Sequence, residues 1–360
     1  MKKSLIIGIS FGIWAWAACN RTPNPLTPVG PDPSGDKIEV PQPSYFPMKV
    51  YDLTTNPVTL NGFLLGKSLF YDGILSRNGT IACGTCHQQA AAFTHHGHDL
   101  SHGIDDRLGT RNAPSLQNLA WSREFFWDGG VPHLDLFSIA PIENPVEMDE
   151  KMPNVLQKLR TGKNPDYPEL FKKAFGSTEI TTERFSKALS QFMLLMVSNN
   201  SRYDIYLRGT ANALTATEKE GLTIFRQKCG SCHTGELFTD QSYRNNGLSI
   251  DRNPDQGRFN ITQNPDDRHK FKVPSLRNVG LTAPYMHDGR FTTLEQVLDH
   301  YAQNVKQTPN LDGLLLNDGK LGISLTADEK QKIIAFLKTL SDEQFVQDTR
   351  FSDPGFGHSF

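Results

Sequence analysis

Hydrophobic residues recur at helical spacing in two segments of the chain, whereas few segments alternate with a period of two over the length of a strand. The stripes comprise Phe185, Leu189, Phe192, Met193 and Met196 in the first segment, and Ile333, Phe336, Leu337 and Leu340 in the second. The second segment begins with a capping box, Thr326-x-x-Glu329, which is typical of a helix start. Apolar residues at this spacing are interpreted as core rather than as ligands. The pattern predicts a mostly α fold.

Long loops and an internal repeat organise the rest of the chain. Glycine, proline and asparagine punctuate two loops, 97–118 and 234–273. The stretch 66–70 (GKSLF) parallels 221–225 (GLTIF), and the second copy follows another capping box that starts at Thr215. Because 360 residues suffice for two domains that each bury a core, we predict two similar lobes.

The N-terminal segment has the layout of an export signal, with a basic pair, an apolar run over 5–16 and small residues before Cys19. The run is too short to span a bilayer stably. Cys19 after two alanines resembles a lipoprotein cleavage site, at which the thiol is lipidated. An ordinary secretory signal is the alternative, and both place the protein outside the cytoplasm. The proline-rich stretch that follows, up to residue 47, predicts an extended tether.

The net charge argues against a polyanionic partner. The formal charge is -2, and it becomes about -4 if Lys2 and Lys3 leave with the signal. We therefore expect no nucleic-acid partner, and contact with a membrane only through the lipid anchor.

Besides Cys19, all cysteines belong to two copies of one pattern. The copies are Cys83-Gly-Thr-Cys86-His87 and Cys229-Gly-Ser-Cys232-His233. C-x-x-C-H is the attachment signature of a c-type haem, because two thiols add across the vinyl groups while the adjacent imidazole reaches the iron. A zinc ribbon is disfavoured because it would need the two cysteine pairs closer together in the sequence. A thioredoxin-type redox pair is disfavoured because it would not require the histidine that follows each pair. The sequence therefore predicts two covalently bound haem c groups, one in each of two cytochrome c-like lobes with long loops.

These features divide the chain into predicted segments. They are an export signal over 1–18, a lipid-anchored proline-rich linker over 19–47, an N-terminal haem domain over 48–208, a C-terminal haem domain over 209–345 and a tail over 346–360. The porphyrins are expected to supply much of the apolar core of both domains.

Short motifs follow one another in a specific order along the chain. They are 83–87 (CGTCH), 109–114 (GTRNAP), 126–129 (FWDG), 145–148 (PVEM), 229–233 (CGSCH), 271–278 (FKVPSLRN) and 285–289 (YMHDG). In this combination the chain resembles the bacterial di-haem cytochrome c peroxidase superfamily, which includes the MauG-type enzymes of methylamine utilisation, over residues 55–340. The resemblance implies an N-terminal lobe whose haem meets peroxide, a C-terminal lobe whose haem passes electrons, and a calcium ion between them.

The resemblance also implies roles for single residues. His87 and His233 become the proximal ligands of the peroxidatic and the electron-transfer iron. Glu147 matches the catalytic glutamate, which moves a proton between the peroxide oxygens, and a solvated loop carboxylate is the alternative. Trp127 matches an aromatic residue that relays electrons between the haems, and a core tryptophan is the alternative. The family's distal glutamine falls on Phe137, which removes a polar partner for peroxide.

Two residues compete to be the second ligand of the electron-transfer iron. A helix over 293–301 is predicted to turn Tyr301 towards the core and His300 away from it. The aligned position is a methionine in the peroxidases proper and a tyrosine in MauG-type enzymes. A phenolate stabilises ferric iron and lowers the potential, whereas a thioether does the opposite. Met286 is the rival ligand, and its alternative role is to fill a gap in the core.

Two further sites follow from the resemblance. His102 is a candidate gating ligand of the first iron, but it is displaced from the family's usual place. A loop histidine and an open, five-coordinate iron are therefore expected. Calcium is implied on the Asn112 side chain and on the main-chain oxygens of Thr282 and Pro284, and hard oxygen donors of this kind suit that ion.

The leading interpretation is a periplasmic oxidoreductase, tethered to a membrane by lipid, that reduces hydrogen peroxide with electrons from a small cytochrome c or cupredoxin. One alternative is MauG-type oxidation of a partner protein's side chains, which Tyr301 favours. The other is a di-haem electron carrier without peroxide chemistry, against which Glu147 argues. Family members are often homodimers, but the sequence does not indicate a dimer interface.

Overall fold

The computed structural model describes residues 37–355, apart from residues 164, 253 and 318. The predicted export signal, Cys19 and most of the proline-rich linker lie outside the described residues, as do residues 356–360. The described residues belong to one compact unit. Among them, none of the helices combines the length and the apolar character that crossing a bilayer requires.

Helices dominate the described part of the chain. They are α1 Leu60–Tyr71, α2 Cys83–Cys86, α3 Leu134–Phe137, α4 Ile139–Glu143, α5 Met152–Thr161, α6 Tyr167–Phe175, α7 Thr182–Leu194, α8 Arg202–Leu207, α9 Ala216–Lys228, α10 Phe259–Thr262, α11 Leu294–Asp299, α12 Ala327–Lys338 and α13 Glu343–Gln347. A π-helical turn, His300–Asn304, continues α11. Short antiparallel strands pair as β1 Tyr243–Arg244 with β2 Phe271–Lys272, and as β3 Leu316–Asn317 with β4 Lys320–Leu321. This content agrees with the predicted mostly α class.

The predicted capping boxes lie where two helices begin. Thr215 Oγ1 accepts a hydrogen bond from the Glu218 backbone N–H at 3.3 Å, and the Glu218 carboxylate accepts one from the Thr215 N–H at 2.7 Å. Thr326 and Glu329 repeat this arrangement at the start of α12. Each box satisfies backbone donors that a helix leaves without partners at its N-terminus. Both capping predictions are confirmed.

Two pairs of crossing helices form the frame, α1 against α7 and α9 against α12. A Cβ on Gly66 would lie 2.0 Å from the Ala188 carbonyl oxygen, and a Cβ on Gly221 would lie 2.0 Å from that of Lys332. The glycines of the predicted repeat therefore let the two backbones of each pair approach closely.

Replacing Gly221 with alanine should push α9 away from α12. Overpacking of this kind costs about 1–3 kcal/mol, and we expect a loss of that size in the free energy of unfolding of the haem-loaded protein, measured with urea. Helix propensity alone predicts the opposite sign. Gly313→Ala is the control, because a Cβ on Gly313 meets nothing within 4 Å. Equal stability of the two variants would contradict the close-crossing explanation.

The buried apolar residues form two clusters, one around α1 and α7 and the other around α9 and α12. The first cluster contains the predicted stripe over 185–196, and the second contains the stripe over 333–340. Both stripe predictions are confirmed. Tyr203, in α8, belongs to the second cluster, whereas Leu237 and Phe345 belong to the first, and the division into domains at residue 209 stays a prediction.

Both ends of the described chain are packed more closely than the sequence predicts. Val40 and Phe46 lie in the predicted tether, but both are buried in the first cluster. Phe351 lies in the predicted tail and is buried there too, and the Tyr71 hydroxyl donates to its carbonyl oxygen at 2.6 Å. Composition favoured loose chain in the first of these stretches. The area of a few large apolar side chains is enough to fold them back onto the core.

A matching pair of asparagines joins a loop to the end of each long helix. Asn118 and Asn278 both have left-handed backbone conformations, with φ of 57° and 59°. The Asn118 N–H donates to the Met196 carbonyl at 2.8 Å, and the Asn278 N–H donates to the Leu340 carbonyl at 3.0 Å. The internal repeat thus extends beyond the helix crossings to the loops.

A buried ion pair braces the loop of the second C-x-x-C-H motif. The Arg277 guanidinium donates to the two carboxylate oxygens of Asp204 at 2.9 and 3.0 Å, and neither charged side chain is exposed. Arg277 Nε also donates to the Glu236 carbonyl at 2.8 Å. Because Glu236 and His233 share one loop, this pair connects α8 to the predicted iron ligand.

Candidate active site

The histidines of both C-x-x-C-H motifs are held by the same contact. His87 Nδ1 bonds to the Phe93 carbonyl oxygen at 2.8 Å, and His233 Nδ1 bonds to that of Phe238 at 2.9 Å. Phe93 and Phe238 both have left-handed backbone conformations, with φ of 63° and 54°. Since each Nδ1–H donates to a carbonyl, each Nε2 keeps its lone pair. Both imidazoles are therefore oriented as metal ligands.

Burial lowers the pKa of both His87 and His233, and the hydrogen bonds to main-chain carbonyls partly offset that effect. A lower pKa keeps the rings neutral at neutral pH. Only a neutral imidazole binds a metal, so the electrostatics of the site agree with its geometry.

A cavity of about 370 Å³ lies beside the second motif, lined by Cys229, Cys232 and His233. Its apolar lining includes Leu294, Leu298, Ile323, Leu325, Ile333 and Leu337. An apolar chamber next to two thiols and a prepared imidazole fits a covalently bound haem. Cys83, Cys86 and His87 repeat the thiol and imidazole arrangement at the first motif.

Tyr301 and Met286, the rival ligands, both line this cavity. Tyr301 lies in the π-helical turn that continues α11. His300 is also buried, with its Nε2 3.0 Å from the Asn246 carbonyl oxygen, so the prediction that His300 points away from the core is wrong. That prediction assumed α-helical spacing through residue 301, which the π turn breaks. Burial raises the pKa of Tyr301 to about 12, so the phenol keeps its proton until a cation replaces it.

Glu147 lies against the loop that follows the first motif. The Ile104 N–H donates to the Glu147 carbonyl oxygen at 2.7 Å, and Asn144 Nδ2 donates to Glu147 Oε1 at 2.8 Å. Burial raises the pKa of Glu147, an effect that the Asn144 amide partly offsets. Burial, and then the charge of Glu147, raise the pKa of the Cys86 thiol, so the carboxylate lies near the first motif. A carboxyl with a raised pKa can take up a proton and release it again, as an acid–base catalyst must.

Trp127 lies at the wall of the cavity beside the second motif. Its indole N–H donates to the Asn112 carbonyl at 2.9 Å, and the Asn112 N–H donates to the His287 carbonyl at 2.7 Å. The Lys272 N–H donates to the Trp127 carbonyl at 2.7 Å. The Asn112 carbonyl therefore holds the indole, and β2 holds the backbone of Trp127. Its place between two haems stays a prediction.

The predicted calcium ligands Asn112, Thr282 and Pro284 line the same cavity. Asn112 Nδ2 donates to the carbonyl oxygens of His98 and Asp99, both at 3.1 Å. This orientation directs the amide nitrogen to the loop and the amide oxygen the opposite way. Calcium binding at these residues stays a prediction.

Phe137, which occupies the position of the family's glutamine, forms part of an aromatic wall. Its ring stacks on Phe126 with centroids 4.9 Å apart, and it lies 5.6 Å from Phe125. The wall offers no hydrogen-bond donor to peroxide. Glu147 is therefore the acid–base candidate among these residues.

His102 belongs to a cluster of imidazoles beyond the first motif. The ring centroids of His95 and His98 are 4.2 Å apart, and those of His98 and His102 are 4.5 Å apart. His102 Nδ1 lies 3.3 Å from an Asp106 carboxylate oxygen, and the buried Nδ1 of His95 has no hydrogen-bond partner. Within the described ranges, no three His, Cys, Asp or Glu side chains are arranged to hold a metal ion. A gating role for His102 stays a prediction.

Sequence patterns did not predict the roles of Asn144 or of the carbonyls of Phe93 and Phe238. A signal for the carbonyls was available, because a Phe-Thr pair follows both motifs, six and five residues after the histidine. Asn144 carries no such signal, since its role depends on how the loop before Glu147 turns back on itself.

Known proteins share this chain's sequence and structure over most of its length. A sequence profile of di-haem cytochrome c peroxidase matches residues 61–212. The chain is 34% identical over 297 residues to methylamine utilization protein MauG of Methylorubrum extorquens, with 80% of each chain covered. It is 37% identical over 284 residues to cytochrome c551 peroxidase of Nitrosomonas europaea, with 78% of this chain and 80% of that protein covered.

One solved structure agrees with these relatives. The crystal structure of a MauG-like protein associated with microbial copper homeostasis matches with a TM-score of 0.78 at 36% identity, covering 87% of this chain and 98% of that one. Sequence and structure therefore point the same way. The chain belongs to the di-haem cytochrome c peroxidase family, whose members are oxidoreductases that use peroxide and carry two haem c groups.

Proposed function

We propose that the protein is a periplasmic di-haem peroxidase that takes electrons from a small redox protein, a cytochrome c or a cupredoxin. One hydrogen peroxide, two electrons and two protons give two waters. The observation that carries this proposal is Glu147, a desolvated carboxyl that Asn144 holds beside the first C-x-x-C-H motif.

His87 and His233 would hold the two irons through Nε2, because a main-chain carbonyl engages Nδ1 of each ring. The haems, when bound, supply an iron that polarises peroxide and a store for electrons. Thioether links from the cysteines of each motif would hold the porphyrin next to the histidine of that motif. The protein's own contribution is orientation, exclusion of water and proton transfer.

Glu147 accepts a proton from one peroxide oxygen and returns it to the other, which leaves as water. Asn144 holds Oε1 at 2.8 Å, and this leaves Oε2 as the oxygen that exchanges the proton. The ring wall of Phe126 and Phe137 excludes water from the neighbouring space. Trp127 relays electrons from the second haem, since an indole shortens the steps between two redox centres.

The remaining expectations complete the proposal. Calcium at Asn112, Thr282 and Pro284 would brace the wall of the second cavity. His102 remains the candidate gating ligand of the first iron. Export, a lipid anchor at Cys19 and a homodimer are parts of the same proposal.

Tyr301 favours a second candidate function. Relatives include proteins named MauG, and a phenolate-ligated second haem is hard to reduce. In this alternative, peroxide takes its two electrons from a side chain of a partner protein, and two waters form as before. The partner's residue is oxidised in place of a redox protein.

Peroxide consumption by the haem-loaded protein, with a reduced small cytochrome c as donor, separates the two functions. Repeated turnover with matching oxidation of the donor supports the proposed peroxidase. Stoichiometric reaction with peroxide and no oxidation of the donor supports the second function. A protein whose irons are both six-coordinate and inert to peroxide would refute both and leave an electron carrier.

Tyr301→Phe should remove the phenolate ligand of the second iron. We expect loss of the phenolate-to-iron charge-transfer band of the ferric protein and a rise in the midpoint potential of the second haem. Tyr285→Phe is the matched control, because Tyr285 lines the same cavity and its hydroxyl donates to the Val279 carbonyl at 2.9 Å. An unchanged spectrum of the Tyr301 variant would exclude tyrosine ligation.

A further inference from the structure

Asn246 shares one cavity with both rival ligands of the second iron and bonds to one of them. It lines the cavity on the turn that follows β1. Its Nδ2 donates to Met286 Sδ at 3.4 Å, and Tyr301 lines the same cavity. Its main-chain carbonyl oxygen lies 3.0 Å from His300 Nε2, in the π-helical turn that carries Tyr301.

The chain on either side of Asn246 is held in place. Asn245 Nδ2 donates to Thr308 Oγ1 at 3.1 Å and to the Pro309 carbonyl at 2.7 Å. The Gly247 carbonyl accepts a hydrogen bond from the Lys306 N–H at 2.8 Å. The Asn246 side chain therefore extends into the cavity from a braced turn.

We infer that Asn246 is a positioning residue that selects Tyr301 over Met286 as the axial ligand of the second haem. This inference rests on the proposed ligation of that haem by Tyr301. The inference adds the residue that determines which of the two side chains, Tyr301 or Met286, binds the iron.

The chemistry of a primary amide explains the selection. An amide nitrogen has two N–H donors, so it can serve a sulfur and a phenol oxygen together. A hydrogen bond to the phenolate stabilises the anion that iron binds. A thioether is a weak acceptor, but a sulfur directed at the Asn246 amide has a lone pair directed away from the iron. Met286 also lies at a left-handed turn, with φ of 75°, which limits the directions open to its side chain.

The test uses Asn246→Ala in the full chain with both haems attached, studied in the ferric state by optical, near-infrared and electron paramagnetic resonance spectroscopy. We expect the phenolate signature to disappear and a thioether-to-iron charge-transfer band to appear. The midpoint potential of the second haem should shift upward, because a thioether favours ferrous iron. A second variant, Asn246→Ala with Met286→Leu, should show no thioether band.

Asn245→Ala is the matched control, since Asn245 braces the loop but bonds neither ligand. It should keep the phenolate signature. Aspartate has the same shape as asparagine but no N–H donors. Asn246→Asp therefore replaces the alanine variant in this test if the alanine variant does not retain both haems. A phenolate signature that survives in the Asn246 variant, or a five-coordinate iron without the thioether band, overturns the inference. Thioether ligation in the unaltered protein would instead refute the proposed Tyr301 ligand, and the inference with it.

Discussion

Glu147→Gln is expected to lower peroxide turnover by about 100- to 10,000-fold, the range that general acid–base catalysis contributes, while both haems stay attached. Glutamine keeps the size of the side chain and can still accept the hydrogen bond from Asn144. It cannot carry a proton from one peroxide oxygen to the other. Steady-state rates with a reduced cytochrome c, normalised to haem content, measure the effect.

The acid side of the pH profile provides a second measure of Glu147. Burial raises the pKa of this carboxyl, so its base form is lost as the pH falls through that raised value. Activity should fall there in the unaltered protein, and this acid limb should vanish in the Gln variant. Glu143→Gln is the control, because Glu143 ends α4 four residues before Glu147 and its carboxylate accepts a hydrogen bond from the Met152 N–H. Equal rates for both variants would remove Glu147 from the mechanism.

Arg277→Met is expected to lower the free energy of unfolding of the haem-loaded protein by about 3–5 kcal/mol, the cost of leaving one partner of a buried ion pair alone. The Arg277 guanidinium bonds both carboxylate oxygens of Asp204, and neither side chain reaches solvent. Without Arg277, the Asp204 carboxylate would stay buried without its counter-charge. Urea denaturation followed by far-ultraviolet circular dichroism measures the change.

Two further variants test this explanation of Arg277. Arg202→Met breaks a more exposed pair, in which Arg202 bonds Glu218 at 2.7 Å, and should cost no more than about 1 kcal/mol. Changing Arg277 to Met and Asp204 to Leu together removes both charges and should recover much of the stability. If the single Arg277 variant were as stable as the Arg202 variant, the buried pair would not hold the second motif's loop.

Local spacing was enough to predict much of the frame. The two C-x-x-C-H motifs place thiols and imidazole within one turn of chain, so their chemistry does not depend on distant residues. The capping boxes at Thr215 and Thr326 and the apolar stripes are equally local, and all of them have the predicted structure. The glycine repeat was visible as a pattern, although its reason, the close crossing of helices, needed the structure.

Other predictions failed because the composition of a segment does not show which other parts of the chain it packs against. The stretch around Val40 and Phe46 was predicted to be a tether, and Phe351 was assigned to a tail. Both stretches fold onto the first cluster, where Phe351 meets a helix 280 residues earlier in the chain. His300 failed for a different reason, because a π turn replaced the α-helical spacing on which the prediction was based.

The amino-acid sequence was enough to predict haem attachment at the two motifs, the helices α7, α9 and α12, and the family that the chain resembles, because these features depend on residues close together in the chain. The three-dimensional packing was needed to show which side chains share a cavity, which partners Asn144 and Asn246 bond, and that Asp204 is the counter-charge of Arg277. Contacts of the last kind join loops far apart in sequence. Their geometry follows from the packing of the whole chain, which no local pattern records.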